Sequence, residues 1–483
     1  MVRQGKGSTV ERKNELRREA IGIAGSVALL LAVPACWAGD VAGGPAPALL
    51  AASGSDGDPA KGREALFEDE DEDAKPVARP ADSAAGGLKG YLQFELARTT
   101  ESPVHWTKMR TRAEFGSQGS LGEGLKWKAS ARADYDFVFD HTSYYPAAVA
   151  YDQRANFVLR ETYLDAGAGD WDFRLGRQHV VWGEMVGLFF ADVVSARDMR
   201  EFILPDFDSL RTPQWAARAE YFKDDFHAEL LWIPVATYDD IGKPGAEFYP
   251  YQPVLPGYTA QYRNEVIPSH SLDHGNYGAR FSVLKNGWDV SGFYYRSMDI
   301  QQTFYRQIVG STMIFEPRHE RIEQFGGTLA KDLDFAVLKG EAVYTRGRKF
   351  AVLDIADVDG LVAQNTLDWA AGLDFTLPAD TRFNVQLFQR VYFDHDPNII
   401  PEKRENGYTL YLNKKFGSSW EAQATWIASL NRTEWLFRPR VQWNFERNWR
   451  LLFGADVFKG PPTGLFGQYS NRDRVYSEVR YSF

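Results

Sequence analysis

"GLKWKASARADYD", residues 124–136, decides the fold. Leu125, Trp127, Ala129, Ala131, Ala133 and Tyr135 take one face of an extended chain. Lys126, Lys128, Ser130, Arg132, Asp134 and Asp136 take the other. Side chains of a strand point alternately to opposite faces, so this is a two-residue period and not a helical one. "EWLFRPRVQWNF" (434–445) repeats it, with Trp435, Phe437, Pro439, Val441, Trp443 and Phe445 set against Leu436, Arg438, Arg440, Gln442 and Asn444.

Working outward, eighteen such segments of roughly ten residues run from Leu88 to Phe483, opening with 88–98 and 106–116 and closing with 448–459 and 473–483. Every second connection is short, as in "SQGSLGE" (117–123) and "GAG" (167–169). The others are longer, and 137–154, 181–212 and 234–274 are very long. An antiparallel transmembrane barrel has this rhythm, with tight periplasmic turns and long external loops. The expectation is therefore an all-β chain, a single barrel of about 18 strands with both termini in the periplasm. A β-sandwich or propeller supplies alternating strands without that rhythm.

Composition agrees. Aromatic residues make up 14% of the 483, glycine is plentiful, and no long apolar run outside the N-terminus suggests a bundle of spanning helices. Residues 1–38 carry a balance of +3 and read as a signal peptide: a basic start, an apolar core from about Ile21 to Val33, and small residues up to Ala38. Cys36, the only cysteine, lies within it; a lipoprotein site that makes Cys36 the first mature residue is the alternative. Residues 39–87, balance −7, read as a disordered acidic periplasmic tail that includes the run Glu68 to Asp73. The barrel from Leu88 onward carries −6, which argues against a nucleic-acid partner.

Tyr163, Trp171, Phe173, Tyr221, Trp288, Trp420, Trp443, Phe445, Trp449, Tyr481 and Phe483 fall near the short turns and are expected to form an outward girdle at the lipid headgroups. The chain closes on "RVYSEVRYSF", and Phe483 resembles the terminal signal that the bacterial barrel-assembly machinery reads. Outer-membrane lipid and that machinery are the expected partners.

"FRLGRQHVVWGE" (173–184), followed by "ADVVSARDMREFILPDFDSLR" (191–211), resembles a family of proteobacterial outer-membrane barrels catalogued as a domain of unknown function. "RLGRQ" is also similar to a strand of alginate export porins. The resemblance implies a porin-superfamily barrel in a Gram-negative outer membrane, associated with periplasmic or inner-membrane export systems for hydrophobic or polymeric compounds.

No zinc spacing, P-loop or nucleophile elbow is present, so no metal, cofactor or catalytic residue is assigned. His227 and Glu229 are the nearest thing to a catalytic pair, and a hydrolase barrel or an adhesin-like barrel stays as the alternative. The inward faces say more. Lys108, Arg110, Arg112, Lys126, Lys128, Arg132, Arg438, Arg440, Arg474 and Arg480 outnumber Glu114, Asp134, Asp136 and Glu478 on the second, third, sixteenth and last strands, and Arg382 and Arg390 extend the series. Such a basic wall favours anions. The connection 181–212 joins an apolar run containing Leu188, Phe189 and Phe190 to Asp192, Arg197, Asp198, Arg200 and Glu201. Exposed to water that run is an awkward patch, so the segment is expected either to fold inward as a constriction or to form an external lid. The sequence thus points to passage or export of an anionic or amphipathic solute.

Overall fold

The computed structural model describes residues 87–183, 185 and 190–483. The segment expected to be a signal peptide, most of the expected acidic tail, and Leu188 and Phe189 lie outside the described residues. Eighteen strands form one closed antiparallel sheet. They are β1 (Lys89–Thr99), β2 (Trp106–Ser120), β3 (Leu125–Asp136), β4 (Ala155–Ala168), β5 (Trp171–Gln178), β6 (Gln214–Lys223), β7 (Phe226–Val235), β8 (Asn276–Lys285) and β9 (Trp288–Met298). The second half comprises β10 (Arg321–Asp332), β11 (Val337–Arg346), β12 (Asn365–Leu377), β13 (Thr381–Phe393), β14 (Arg404–Phe416), β15 (Trp420–Ser429), β16 (Trp435–Glu446), β17 (Trp449–Lys459) and β18 (Arg474–Ser482). Each pairs with the next, and β18 pairs with β1 from Ser482↔Tyr91 to Arg474↔Thr99, which closes the ring of strands.

Local chemistry explains the turns. Asn286 and Gly287 join β8 to β9 with φ of 52° and 72°, the left-handed pair a two-residue hairpin needs. At the seam, Phe483 N donates to Gly90 O (2.9 Å) and Gly90 N to Phe483 O (3.0 Å), so the last residue is itself a rung of the barrel.

The outward aromatic rings form a belt. Trp420 stacks on Trp443 (5.2 Å), which meets Phe445 (5.2 Å), then Trp449 (6.1 Å), Tyr481 (4.9 Å) and Phe483 (6.3 Å). Tyr163 does not belong to it. One extra residue of β4 bulges between Leu159 and Thr162, which reverses the alternation. Tyr163 then shares a face with Lys128 and packs under the Arg174 guanidinium at 4.4 Å.

The connection between β9 and β10 is not bare loop. Thr303–Val309 and Thr312–Arg318 form a hairpin, and Thr259–Tyr262 from the β7–β8 connection adds a parallel third strand.

Candidate functional site: the segment inside the barrel

The chain leaves the wall after Gln178 and rejoins it at Gln214. Its first part is apolar. Val180, Trp182, Ala191, Val193 and Val194 are buried against Ala216, Leu231, Ile233, Phe293, Tyr295 and Val343 of β6, β7, β9 and β11. Trp182 Nε1 donates to Glu229 Oε1 at 3.0 Å, and the Phe190 amide donates to Glu341.

Its second part is charged and meets the opposite wall. Glu201 accepts from Lys108 (2.5 Å) and Arg110 (2.9 Å) of β2 and from Arg474 (3.2 Å) of β18. Asp198 pairs with Arg200 (2.6 Å) and lies 3.9 Å from Arg132. Asp206 accepts from Arg440 (2.6 Å), and Leu204 O from Arg438 (2.5 Å). Burial alone would raise the Glu201 pKa, but Lys108, Arg110 and Arg474 hold it well below the usual carboxylate range. Nearer the wall, Asp192 is buried and accepts from Arg211 Nε at 2.9 Å, while Arg197 donates to Asp192 O at 3.2 Å.

The basic residues read from the sequence are therefore mostly engaged. Lys108 and Arg110 share Glu95 of β1 (2.9 and 2.6 Å), Arg112 holds Asp134 (2.6 Å), and Arg438 and Arg474 both hold Asp456 (2.8 Å each). Seven wall cations (Lys108, Arg110, Arg112, Arg132, Arg438, Arg440, Arg474) and Arg200 of the inner segment face six carboxylates (Glu95, Asp134, Asp198, Glu201, Asp206, Asp456), eight against six where four strands alone count ten against four. The remaining positions are dispersed. Lys128 pairs with Glu161 (2.5 Å), Arg390 with Asp368, and Arg480 lies 3.7 Å over the Tyr91 ring. Lys126 and Arg382 are exposed near the short turns.

Sequence reasoning left the β7–β8 connection outside the site, yet it caps the mouth. Phe248 is buried among Phe202, Leu204, Leu436, Phe458 and Tyr469, and Tyr469 Oη donates to Phe248 O at 3.1 Å. Glu247 accepts from His105 (2.9 Å), Tyr145 (2.9 Å) and Arg472 (3.1 Å). Burial lowers the His105 pKa, but the Glu247 hydrogen bond and Pro103 O outweigh it, and the net shift is upward. Five aromatic residues between Phe248 and Tyr262 were the available signal, too many for a hydrated loop. Between cap and inner segment lies a cavity of about 50 Å³, lined by Arg112, Asp134, Asn156, Glu201, Ser209 and Arg474 among others.

His227 and Glu229 belong to another group, with Glu220. His227 lies 3.1 Å from Glu220 and 3.3 Å from Ser282 Oγ, and Arg218 pairs with Glu220 at 2.8 Å. Ser282 is 4% exposed, which gives a substrate no approach to its hydroxyl.

Among curated proteins, none matches the sequence. The backbone is similar to solved outer-membrane proteins at low identity. These include OccAB4 of Acinetobacter baumannii (TM-score 0.48, 10% identity, 83% of this chain and 99% of that one). In-vitro folded OmpT of Vibrio cholerae gives 0.42, 10%, 83% and 100%, and Salmonella typhi OmpF in complex with daunomycin gives 0.39, 9%, 82% and 97%. The family model described as "Protein of unknown function (DUF1302)" matches residues 105–432, about two thirds of the chain and the whole of the inner segment, and the chain belongs to that family.

Proposed function

We propose that this barrel is a channel of the Gram-negative outer membrane that passes an amphipathic, anionic solute, with residues 190–212 as its constriction and the β7–β8 connection as its cap. One observation carries the reading: the inner segment bridges an apolar patch of wall (Leu231, Ile233, Phe293, Tyr295) and a charged seam (Lys108, Arg110, Arg474). Displacing the segment uncovers both surfaces to a solute with one apolar and one charged side. The outward aromatic belt supports lipid as the surrounding medium, and the small excess of cations over carboxylates at the seam supports a modest preference for anions. A partner system in the periplasm or inner membrane would supply or receive the solute.

The test is single-channel conductance in a planar bilayer. Replacing Asp198–Asp208 with a short Gly-Ser linker removes Glu201 and Asp206 from the lumen, so conductance should rise several-fold in correctly assembled barrels. Unchanged conductance would place the ion path elsewhere and end the constriction reading. Hydrolysis of a lipid or peptide by a barrel that conducts nothing would favour an enzyme.

A further inference from the structure

β5 is the shortest barrel strand, eight residues beside the fourteen of β4. β4 pairs with β5 only from Thr162 to Ala168. Its other half, Ala155–Glu161, bonds to β3 on one side and, among the described residues, makes no backbone hydrogen bond on the other. An unpaired half-strand inside a barrel wall is costly in hydrocarbon, because nothing there replaces water for its N–H and C=O groups. The outer half of the wall is therefore notched where the chain turns inward.

Both sides of the notch carry matching chemistry. Outside and below it is a shallow, open apolar groove of about 630 Å³, lined by Trp127, Leu164, Leu175 and Trp215. Phe157 and Leu159 on the unpaired half of β4 are exposed. By register, Arg177 shares a face with Thr162 and Trp215, and both Arg177 Nε and Thr162 Oγ1 are buried without a hydrogen-bond partner. An arginine on a lipid face costs about 2–4 kcal/mol at the midplane, less near the interface, and an anionic ligand group would offset that. Inside the notch, Asn156 and Ser209 line the luminal cavity. Segment 207–211 closes the gap, held by the buried Arg160, which donates to Arg211 O (2.8 Å) and to Asp208 O.

We infer that the wall between β4 and β6 is a lateral gate through which an amphipathic acid, one apolar chain with an anionic head group, exchanges between the outer leaflet and the lumen. This deepens the channel reading and rests on it. The chain lies in the Leu175–Trp215 groove, the head group meets Arg177, and Arg160 latches segment 207–211 across the opening.

The full-length protein in phospholipid nanodiscs, given a fatty acid bearing a terminal diazirine, tests this by light-induced labelling and peptide mass spectrometry. Adducts should form on Leu175 and Trp215 and also on the interior residues Asn156 and Ser209. Arg160→Gln should raise interior labelling several-fold by releasing the latch. Arg177→Gln should lower both sets roughly tenfold, the worth of one charge-assisted hydrogen bond. Undiminished labelling in Arg177→Gln would overturn the head-group assignment. Groove adducts with Asn156 and Ser209 unlabelled in the wild type would overturn the gate, whatever Arg160→Gln does to assembly. Conductance of the same preparations separates the two ideas. A conducting barrel with an unlabelled interior refutes only the gate, and a labelled interior without conductance refutes the channel.

Discussion

Glu201→Gln removes one negative charge from the charged seam and changes little else. Glu201 sits 2.5 Å from Lys108, 2.9 Å from Arg110 and 3.2 Å from Arg474. Each cation keeps another carboxylate: Lys108 and Arg110 keep Glu95, and Arg474 keeps Asp456. Breaking a buried pair costs about 3–5 kcal/mol when it strands a charge. No charge is stranded here, so the barrel should assemble. The effect on a passing ion is larger. A unit charge about 4 Å away is worth about 1 kcal/mol in bulk-like water and about 4 kcal/mol at an effective dielectric near 20. Even the smaller value enriches anions locally about fivefold. Screening extends about 10 Å at 0.1 M salt and about 3 Å at 1 M, so the effect belongs to dilute salt. In a KCl gradient across a planar bilayer, Glu201→Gln should move the reversal potential toward chloride at 0.1 M and hardly at 1 M. Heat-modifiable mobility on gels controls for assembly. No shift at 0.1 M, or a shift toward potassium, would mean that ions do not pass Glu201.

Three further outcomes follow from the same contacts. Arg438→Ser with Arg440→Ser strips partners from Asp456 and Asp206, so the reversal potential should move toward potassium, opposite to Glu201→Gln. The cap should loosen as pH rises. The raised His105 pKa makes its bond to Glu247 fully charge-assisted below about 6.5 and weaker as pH climbs through the folded value. Burial likewise pushes Asp239 up to about 7 against the pull of Arg197, so its contribution fades between about pH 4 and 7. A nitroxide at Val254→Cys should therefore be more mobile at pH 8 than at pH 5, and His105→Gln with Asp239→Asn should flatten the difference; equal mobility at the two pH values in the unaltered protein would show that His105–Glu247 and Asp239 do not hold the cap. Deleting Phe483 removes two seam hydrogen bonds and one girdle ring. Outer-membrane levels should fall sharply, and normal levels would show that neither the rung nor the terminal aromatic guides assembly.

The barrel was legible because its determinants are local. A period of two survives in 125–136 and 435–443 whatever lies across the lumen, and turn residues such as Asn286-Gly287 mark where each strand reverses. Tyr163 escaped because a single bulged residue in β4 carries no signature in the sequence yet inverts every side chain after it. The hairpin 303–318 is readable in principle, since "TFYRQIV" and "TMIFEPR" flank Gly310, but its seven-residue strands are shorter than the segments that span and lack their lipid-facing alternation.

The seam shows the opposite limit. Counting charges on four strands finds a basic wall, and the carboxylates that answer it come from elsewhere: Glu95 from β1, Asp456 from β17, and Asp198, Glu201 and Asp206 from a segment that crosses the lumen. Arg474 and Glu201 are 273 residues apart in sequence, and no periodicity links them. What the sequence does hold is the composition of 190–212, an apolar stretch followed by alternating acids and arginines, which suits neither water nor hydrocarbon alone. Such a segment is stable only where an apolar wall and a cationic wall face each other across a short distance. That requirement is the physical reason the inner segment, the seam and the short strand β5 occur together: β5 must end early for the chain to turn inward, and the notch beside β4 follows from that early end.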